Sequence, residues 1–169
     1  MKALVVFYSR TGNTKLVAET IARELNADLT EVEEVKKRRN GLLTYVIGGF
    51  QAMRSKCSRI QPIDINLDNY SLIFVGSPVW ASRTVPAINA FISQTDFEDK
   101  EVVAFFSMGA SGDKAAIEDM AGKIEAKSGR VVGSFAIRCG GSTRQEWVSH
   151  TKKAITSFHD YKPGRKQAE

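Results

Sequence analysis

Four stretches of the chain are apolar at nearly every position: residues 2–8 (KALVVFY), 72–75 (LIFV), 102–106 (VVAFF) and much of 131–137 (VVGSFAI). A strand buried on only one face alternates apolar and polar residues, so unbroken runs of this length predict parallel strands covered by helices on both sides. Residues 29–35 (LTEVEEV) are acid-rich and only partly apolar, which suits an edge strand. Between these runs the period changes. Val17, Ile21 and Leu25 recur at helical spacing, as do Val85, Ile88 and Ile92, with Pro86 placed for a helix start. Ile117, Met120, Ala121 and Ile124 form a third stripe, and Trp147, Ala154 and Phe158 a fourth. Five strands alternating with helices predict an α/β doubly wound sheet with helices on both faces. One domain over residues 1–161 accounts for the pattern, and residues 162–169 (KPGRKQAE) form a polar tail.

Residues 36–61 do not fit simple alternation. They open on Lys36-Lys37-Arg38-Arg39. Leu43, Ile47, Phe50 and Met53 follow near helical spacing, broken by Gly48-Gly49, and then come Arg54, Lys56 and Arg59. The segment reads as a covering helix with a basic rim, as a wall of a ligand site, or as a partner-docking patch; a membrane-surface helix is disfavoured by the glycine pair.

Composition narrows the setting more than the chemistry. The 169 residues carry a formal charge of +5 and two cysteines, Cys57 and Cys139, far apart and in no CxxC. A disulfide framework, a zinc site and an iron–sulfur site are not expected. No apolar stretch approaches the roughly 18 residues of a membrane helix, and the first apolar run is too short for a signal-peptide core. The cytoplasm is the expected compartment. The basic charge permits nucleic acid as a partner, but nothing in the sequence requires it, and none is expected.

The chemistry lies at the end of the first strand. Ser9-Arg10-Thr11-Gly12-Asn13-Thr14 places three hydroxyls, an amide and a glycine between a strand and a helix, without an acid. A helix N-terminus exposes unpaired N–H groups and partial positive charge, and an anion there gains several hydrogen bonds at once. The hydroxyl density exceeds what one helix cap needs. The loop is suited to a phosphate, in particular a dianionic terminal one. Neither GxxxxGK[ST] nor GxGxxG occurs in the chain.

Strand–SRTGNT–helix resembles the phosphate loop of the flavodoxin family, which grips the ribityl phosphate of FMN. Residues 76–91 (GSPVWASRTVPAINAF) resemble that family's second flavin loop, and 106–120 (FSMGASGDKAAIEDM) its third. The resemblance spans roughly residues 2–159. It implies a five-stranded parallel sheet of order 2-1-3-4-5 with FMN at the switch point between strands one and three, the geometry long associated with flavodoxin. It implies that Ser9, Arg10, Thr11, Gly12, Asn13 and Thr14 hold the phosphate. Ser77, Pro78, Val79 and Trp80 would then meet the ring, with Trp80 stacking on or flanking it, or else packing in the groove. Ser107, Met108, Gly109, Ala110, Ser111 and Gly112 would face its pyrimidine edge. No metal and no catalytic side chain is expected, because the flavin carries the chemistry.

The chain also departs from the family's carriers. The third loop has no aromatic residue, so one ring face is open or covered from elsewhere, with Tyr45 and Phe50 as candidates. Ala81-Ser82-Arg83 follow Trp80 where acids are common, and Ala81 stands where a glycine often does. The favoured function is an electron carrier exchanging electrons with a redox partner protein or a small-molecule donor or acceptor. An FMN-dependent NAD(P)H:quinone-type oxidoreductase and a non-redox binding module are the alternatives. The oligomeric state is open.

Overall fold

A computed structural model describes residues 2–36, 49, 50, 52, 54, 56–159 and 161. Five strands form one parallel sheet: β1 (Ala3–Phe7), β2 (Asp28–Glu31), β3 (Leu72–Pro78), β4 (Glu101–Met108) and β5 (Arg130–Arg138), in the order β2-β1-β3-β4-β5. This is the doubly wound order the resemblance implies. β1 is buried at every position because it has neighbours on both edges and helices on both faces. Its alternate residues feed two cores. Leu4 and Val6 join Ile73, Val75, Val102, Ala104 and Phe106 on one face, and Ala3, Val5 and Phe7 join Leu72, Phe74, Val103 and Phe105 on the other.

Among the described residues, four helices with defined bounds cover the sheet: α1 (Asn13–Leu25), α2 (Pro86–Gln94), α3 (Asp113–Glu125) and α4 (Arg144–Ala154). Val17, Ala18 and Ile21 of α1 and Trp147 of α4 enter one core, while Ile88 of α2 and Met120 and Ile124 of α3 enter the other. α4 begins with a capping box. Glu146 N–H donates to Thr143 Oγ1 at 3.3 Å, while Thr143 N–H (2.6 Å) and the Thr143 hydroxyl (2.9 Å) donate to Glu146 Oε2 and hold that carboxyl below the usual range.

Several boundaries differ from the sequence reading. β2 lies at a sheet edge, as its acids suggest, but it ends at Glu31 instead of running to Val35. β1 stops pairing once its chain turns into the loop after Phe7, and Val32 N–H to Phe7 C=O (2.7 Å) is the last bond between them. Residues 33–35 pair instead with 59–61, through Val35 N–H to Arg59 C=O (2.9 Å) and Gln61 N–H to Glu33 C=O (2.8 Å). Val85 caps α2 from outside, since Pro86 supplies the first helical residue. Phe158 sits in a 3₁₀ turn beyond α4, yet remains buried edge-on to Phe74. Tyr45, Leu43, Ile47 and Met53, the polar tail from Lys162 and most of the basic run at 36–39 lie outside the described residues. No helix among the described residues is long and apolar enough to cross a membrane.

β3 and β4 run past the end of β1, to Pro78 and Met108. The chain leaves β1 toward β2 on one side and returns to β3 on the other. The loops after β1 and β3 therefore diverge and leave a crevice at this end of the sheet.

Candidate functional site

The first wall of the crevice is the loop Tyr8–Gly12. Ser9 Oγ accepts the Gly12 N–H at 3.1 Å, which curls the loop onto itself. Gly12 has φ +88°, a conformation suited to glycine, and a Cβ added there would meet no atom within 4 Å. α1 then starts with no side-chain cap and no acid in its first turn. Thr14 is buried, and its Oγ1 shares a 2.7 Å hydrogen bond with the buried Ser107 Oγ of β4. That bond uses one of the two hydroxyl protons, so the pair retains one to donate. Thr11 is exposed at the loop tip and Asn13 opens the helix. Arg10 lies with its guanidinium 5.9 Å from the Trp80 ring centre.

The second wall follows β3. Ser77 is buried, and its Oγ donates to Pro78 C=O (2.8 Å) and accepts Val85 N–H (3.3 Å). Val79 N–H donates to Ser107 C=O at 3.0 Å, tying this loop to β4. Trp80 and Arg83 exchange backbone bonds of 3.2 and 3.0 Å across Ala81 and Ser82, which have φ +48° and +57°. Two positive φ values in a two-residue loop define a type I′ turn. Trp80 is 8% exposed, with the Tyr8 ring edge-on at 6.2 Å.

The third wall follows β4. Met108 is half-buried and Gly109, Ala110 and Ser111 are exposed. Gly112 has φ +100°, and a Cβ there would approach Ser82 Oγ to 2.7 Å, so this position must be glycine for the second and third loops to touch. All three predicted loops thus meet at one end of the sheet. Of the two candidates for covering the open ring face, Tyr45 lies outside the described residues. Phe50 is half exposed with the Arg54 guanidinium 4.4 Å from its ring centre. Its neighbour Gly49 packs by the Ala81 Cβ.

Two groups of residues escaped the sequence reading. Tyr8 OH donates to the buried Glu34 Oε2 at 3.0 Å, joining the first loop to the segment after β2. Asp119 of α3, its carboxylate nearly buried, accepts Thr84 N–H (3.2 Å) and Lys123 Nζ (2.6 Å) and lies 3.6 Å from Arg83. Lys123 also reaches Asn89 Oδ1 (2.9 Å), and Asn89 Nδ2 returns to Thr84 C=O (3.4 Å). This network clamps the far side of the second loop. Its one trace in the sequence is the i, i+4 spacing of Asp119 and Lys123.

Of the other reactive side chains, Cys57 and both histidines stand apart from this arrangement, whereas Cys139 lies beside the third loop, its N–H donating to Met108 C=O at 2.8 Å. No cluster of three or more metal-ligating side chains occurs among the described residues. His150 and His159 are exposed on and after α4. Both cysteines are free; Cys57 is exposed, while burial pushes the Cys139 thiol up to about 11. The walls offer hydroxyls, a helix N-terminus and an aromatic face, a donor set suited to a phosphorylated, flat, amphipathic ligand.

The family model described as flavodoxin matches residues 2–151. Among curated proteins, the flavodoxin-like domain-containing protein BilS of Clostridioides difficile (strain CD3) is 26% identical over 170 residues, covering 99% of this chain and 81% of that protein. Among solved structures, a flavoprotein of Lactobacillus acidophilus NCFM in complex with FMN is 29% identical with a TM-score of 0.71, covering 80% of this chain and 92% of the other. A flavodoxin from the domain Archaea shares the fold at 20% identity and a TM-score of 0.56, covering 93% and 98%.

Proposed function

This chain belongs to the flavodoxin family, and from that premise we propose that it binds FMN in the crevice between β1 and β3 and serves as an electron carrier. The observation that carries the cofactor reading is the start of α1. An uncapped helix N-terminus led by Gly12 at φ +88° adjoins the buried Thr14–Ser107 hydroxyl pair, with no acid in the helix's first turn. Ser9 to Thr14 would hold the phosphate, Trp80 would flank the ring, and Ser107 to Gly112 would meet its polar edge. FMN supplies the electron-transfer chemistry when bound. The protein orients it, excludes water from the phosphate end, and sets the local charge through Arg10 and Arg83. The reading places this work in the cytoplasm, in keeping with two unpaired cysteines.

A second reading has one observation in its favour. The third loop is exposed over Gly109, Ala110 and Ser111 and carries no aromatic plate, which would leave room for a nicotinamide or quinone against the ring. That reading is an FMN-dependent NAD(P)H:quinone-type oxidoreductase. Purification followed by an absorption spectrum, and then by addition of NADH or NADPH with a quinone, tests both. The carrier reading expects a yellow protein holding one FMN that consumes neither nucleotide at an appreciable rate. Rapid nucleotide oxidation would move the assignment to the oxidoreductase. A protein that neither carries nor takes up FMN would remove both and leave the non-redox binding module.

A further inference from the structure

The charged side chains are sorted along the strand direction. Each strand is parallel and each helix follows a strand, so the site loops and the N-termini of all four helices gather at one end of the molecule. Arg10 and Arg83 lie in the loops beside Trp80, Arg138 ends β5, and Arg144 opens α4. Arg54 stacks on Phe50 beside the 81–82 turn, and Arg59 lies on the segment paired with residues 33–35. Lys36 and Lys56 add to them, and each helix N-terminus contributes partial positive charge of about half a unit. The acids at this end are fewer among the described residues. Glu31 is paired with Lys15, Glu34 is buried on Tyr8, Glu146 is held in its capping box, Asp119 is nearly buried and paired with Lys123 and Arg83, and Glu33 and Asp113 complete the set.

The opposite end has the reverse balance. Asp64, Asp68, Asp96, Glu98, Asp99 and Glu125 lie in the segments that lead into β3, β4 and β5. Of the bases there, Lys2, Lys100, Arg130 and Lys152 are in ion pairs with Asp28, Asp68, Glu101 and Glu24, which leaves Lys127 with Arg23 and Lys153 of the last turns of α1 and α4, against five acids outside those pairs. A second observation concerns apolar surface. Val35 and Phe50, 50% and 51% exposed, are two of the three large hydrophobic side chains most open to solvent among the described residues, and both lie within the basic end. Arginines around exposed aromatic and aliphatic groups are the make-up of a protein-binding surface.

The geometry points to the site end as a docking face for a protein that carries an acidic surface around its own redox centre. This rests on the electron-carrier reading, because only a carrier must bring its flavin edge against a partner. The sorted charges would orient the approaching partner onto Trp80 and its loops, and steering of this kind raises association rates by about 10- to 1,000-fold at low salt.

The test uses the full-length protein loaded with FMN and two haem proteins of opposite surface charge, cytochrome b5 as the acidic probe and cytochrome c as the basic one. Binding is read by thermophoresis and by amide shift changes in NMR, neither of which depends on turnover. Cytochrome b5 should bind, should weaken about tenfold between 20 and 200 mM NaCl, and should shift amides around Ala81–Arg83 and Phe50. Arg54→Glu with Arg59→Glu should weaken it a further tenfold or more. Lys127→Glu with Lys153→Glu changes the net charge equally, yet should alter binding less than threefold. Equal losses from the two pairs, preference for cytochrome c, or shifts spread over the whole surface would overturn the docking face. FMN content is measured separately in every variant. A protein that lacks FMN yet binds cytochrome b5 at this face refutes the carrier reading alone; one that holds FMN and does not bind refutes the docking face alone.

Discussion

Replacing Thr14 with valine isolates what the first loop does for the phosphate. Valine keeps the shape of threonine and removes only the hydroxyl, at a site 1% exposed whose Oγ1 lies 2.7 Å from Ser107 Oγ. Two consequences are separable. The protein itself loses one buried hydrogen bond and leaves Ser107 Oγ without that partner, a cost of about 1–2 kcal/mol. For a domain of this size that lowers the melting temperature by roughly 2–8 °C. The bound phosphate loses one charge-assisted hydrogen bond, worth about 1.5–3 kcal/mol, or about 10- to 150-fold in affinity. Riboflavin has the same ring and no phosphate, so it should lose little. Titrating apoprotein into FMN and into riboflavin and following the quenching of flavin fluorescence gives both constants. The preference for FMN over riboflavin should fall at least tenfold in Thr14→Val. If both flavins weaken alike, Thr14 serves only to join the first loop to β4, and the phosphate reading of that loop fails. Ser107→Ala completes the comparison, since it should cost similar stability while leaving the Thr14 hydroxyl to the phosphate.

The remaining predictions concern the second loop and the thiols. Ala81→Gly should leave the melting temperature unchanged or raise it by up to about 6 °C: relief of a left-handed alanine is worth about 1–2 kcal/mol, against about 0.4–1 kcal/mol for the freer unfolded chain. A drop of several degrees in calorimetry would show that the Ala81–Ser82 turn is not as described. At pH 8 a thiol reagent should label Cys57 rapidly and Cys139 only after denaturation, and two fast equivalents would contradict the burial of Cys139. Because burial raises the Cys139 thiol from about 9 to about 11, its contribution to stability is complete below pH 9 and is lost as pH rises toward 11. Chemical denaturation of Cys139→Ala against the parent protein between pH 8 and 11 reads that window.

The parts of the fold legible in the sequence are those fixed by burial on two faces. β1, β3 and β4 announce themselves as unbroken apolar runs because each of their residues meets one core or the other. β2 was legible as an edge strand, but its end was not, since that is set by where β1 turns away and not by any residue in LTEVEEV. The first loop was legible because hydroxyls, a glycine and the absence of acid are local properties. The Tyr8–Glu34 and Asp119–Thr84 contacts were not, because they join residues 26 and 35 positions apart and depend on the completed sheet. The I′ turn at 81–82 carries none of the Asn-Gly or Asp-Gly chemistry that normally marks one. The direction of the charge asymmetry was equally hidden, for +5 says nothing of which end holds the arginines until the strands are known to be parallel.

That turn also bears on how the site is held. Two non-glycine residues in the left-handed region cost about 1–2 kcal/mol each, and such backbone persists only where its surroundings over-determine it. Here they do so on two sides. Asp119, Lys123 and Asn89 fix Arg83 and Thr84 from α3 and α2. Gly112 brings the third loop against Ser82, where any side chain would collide. The strain therefore sits beside Trp80, the residue that would flank the ring in the proposed FMN site. With the 80–83 hairpin anchored on its far side, Trp80 is set against Tyr8 and Arg10 by the scaffold itself. A site whose aromatic face and phosphate loop are positioned before binding loses less conformational entropy when the ligand arrives. On this argument, Asp119, which touches no predicted cofactor residue, is a stronger determinant of ring placement than the exposed residues of the third loop.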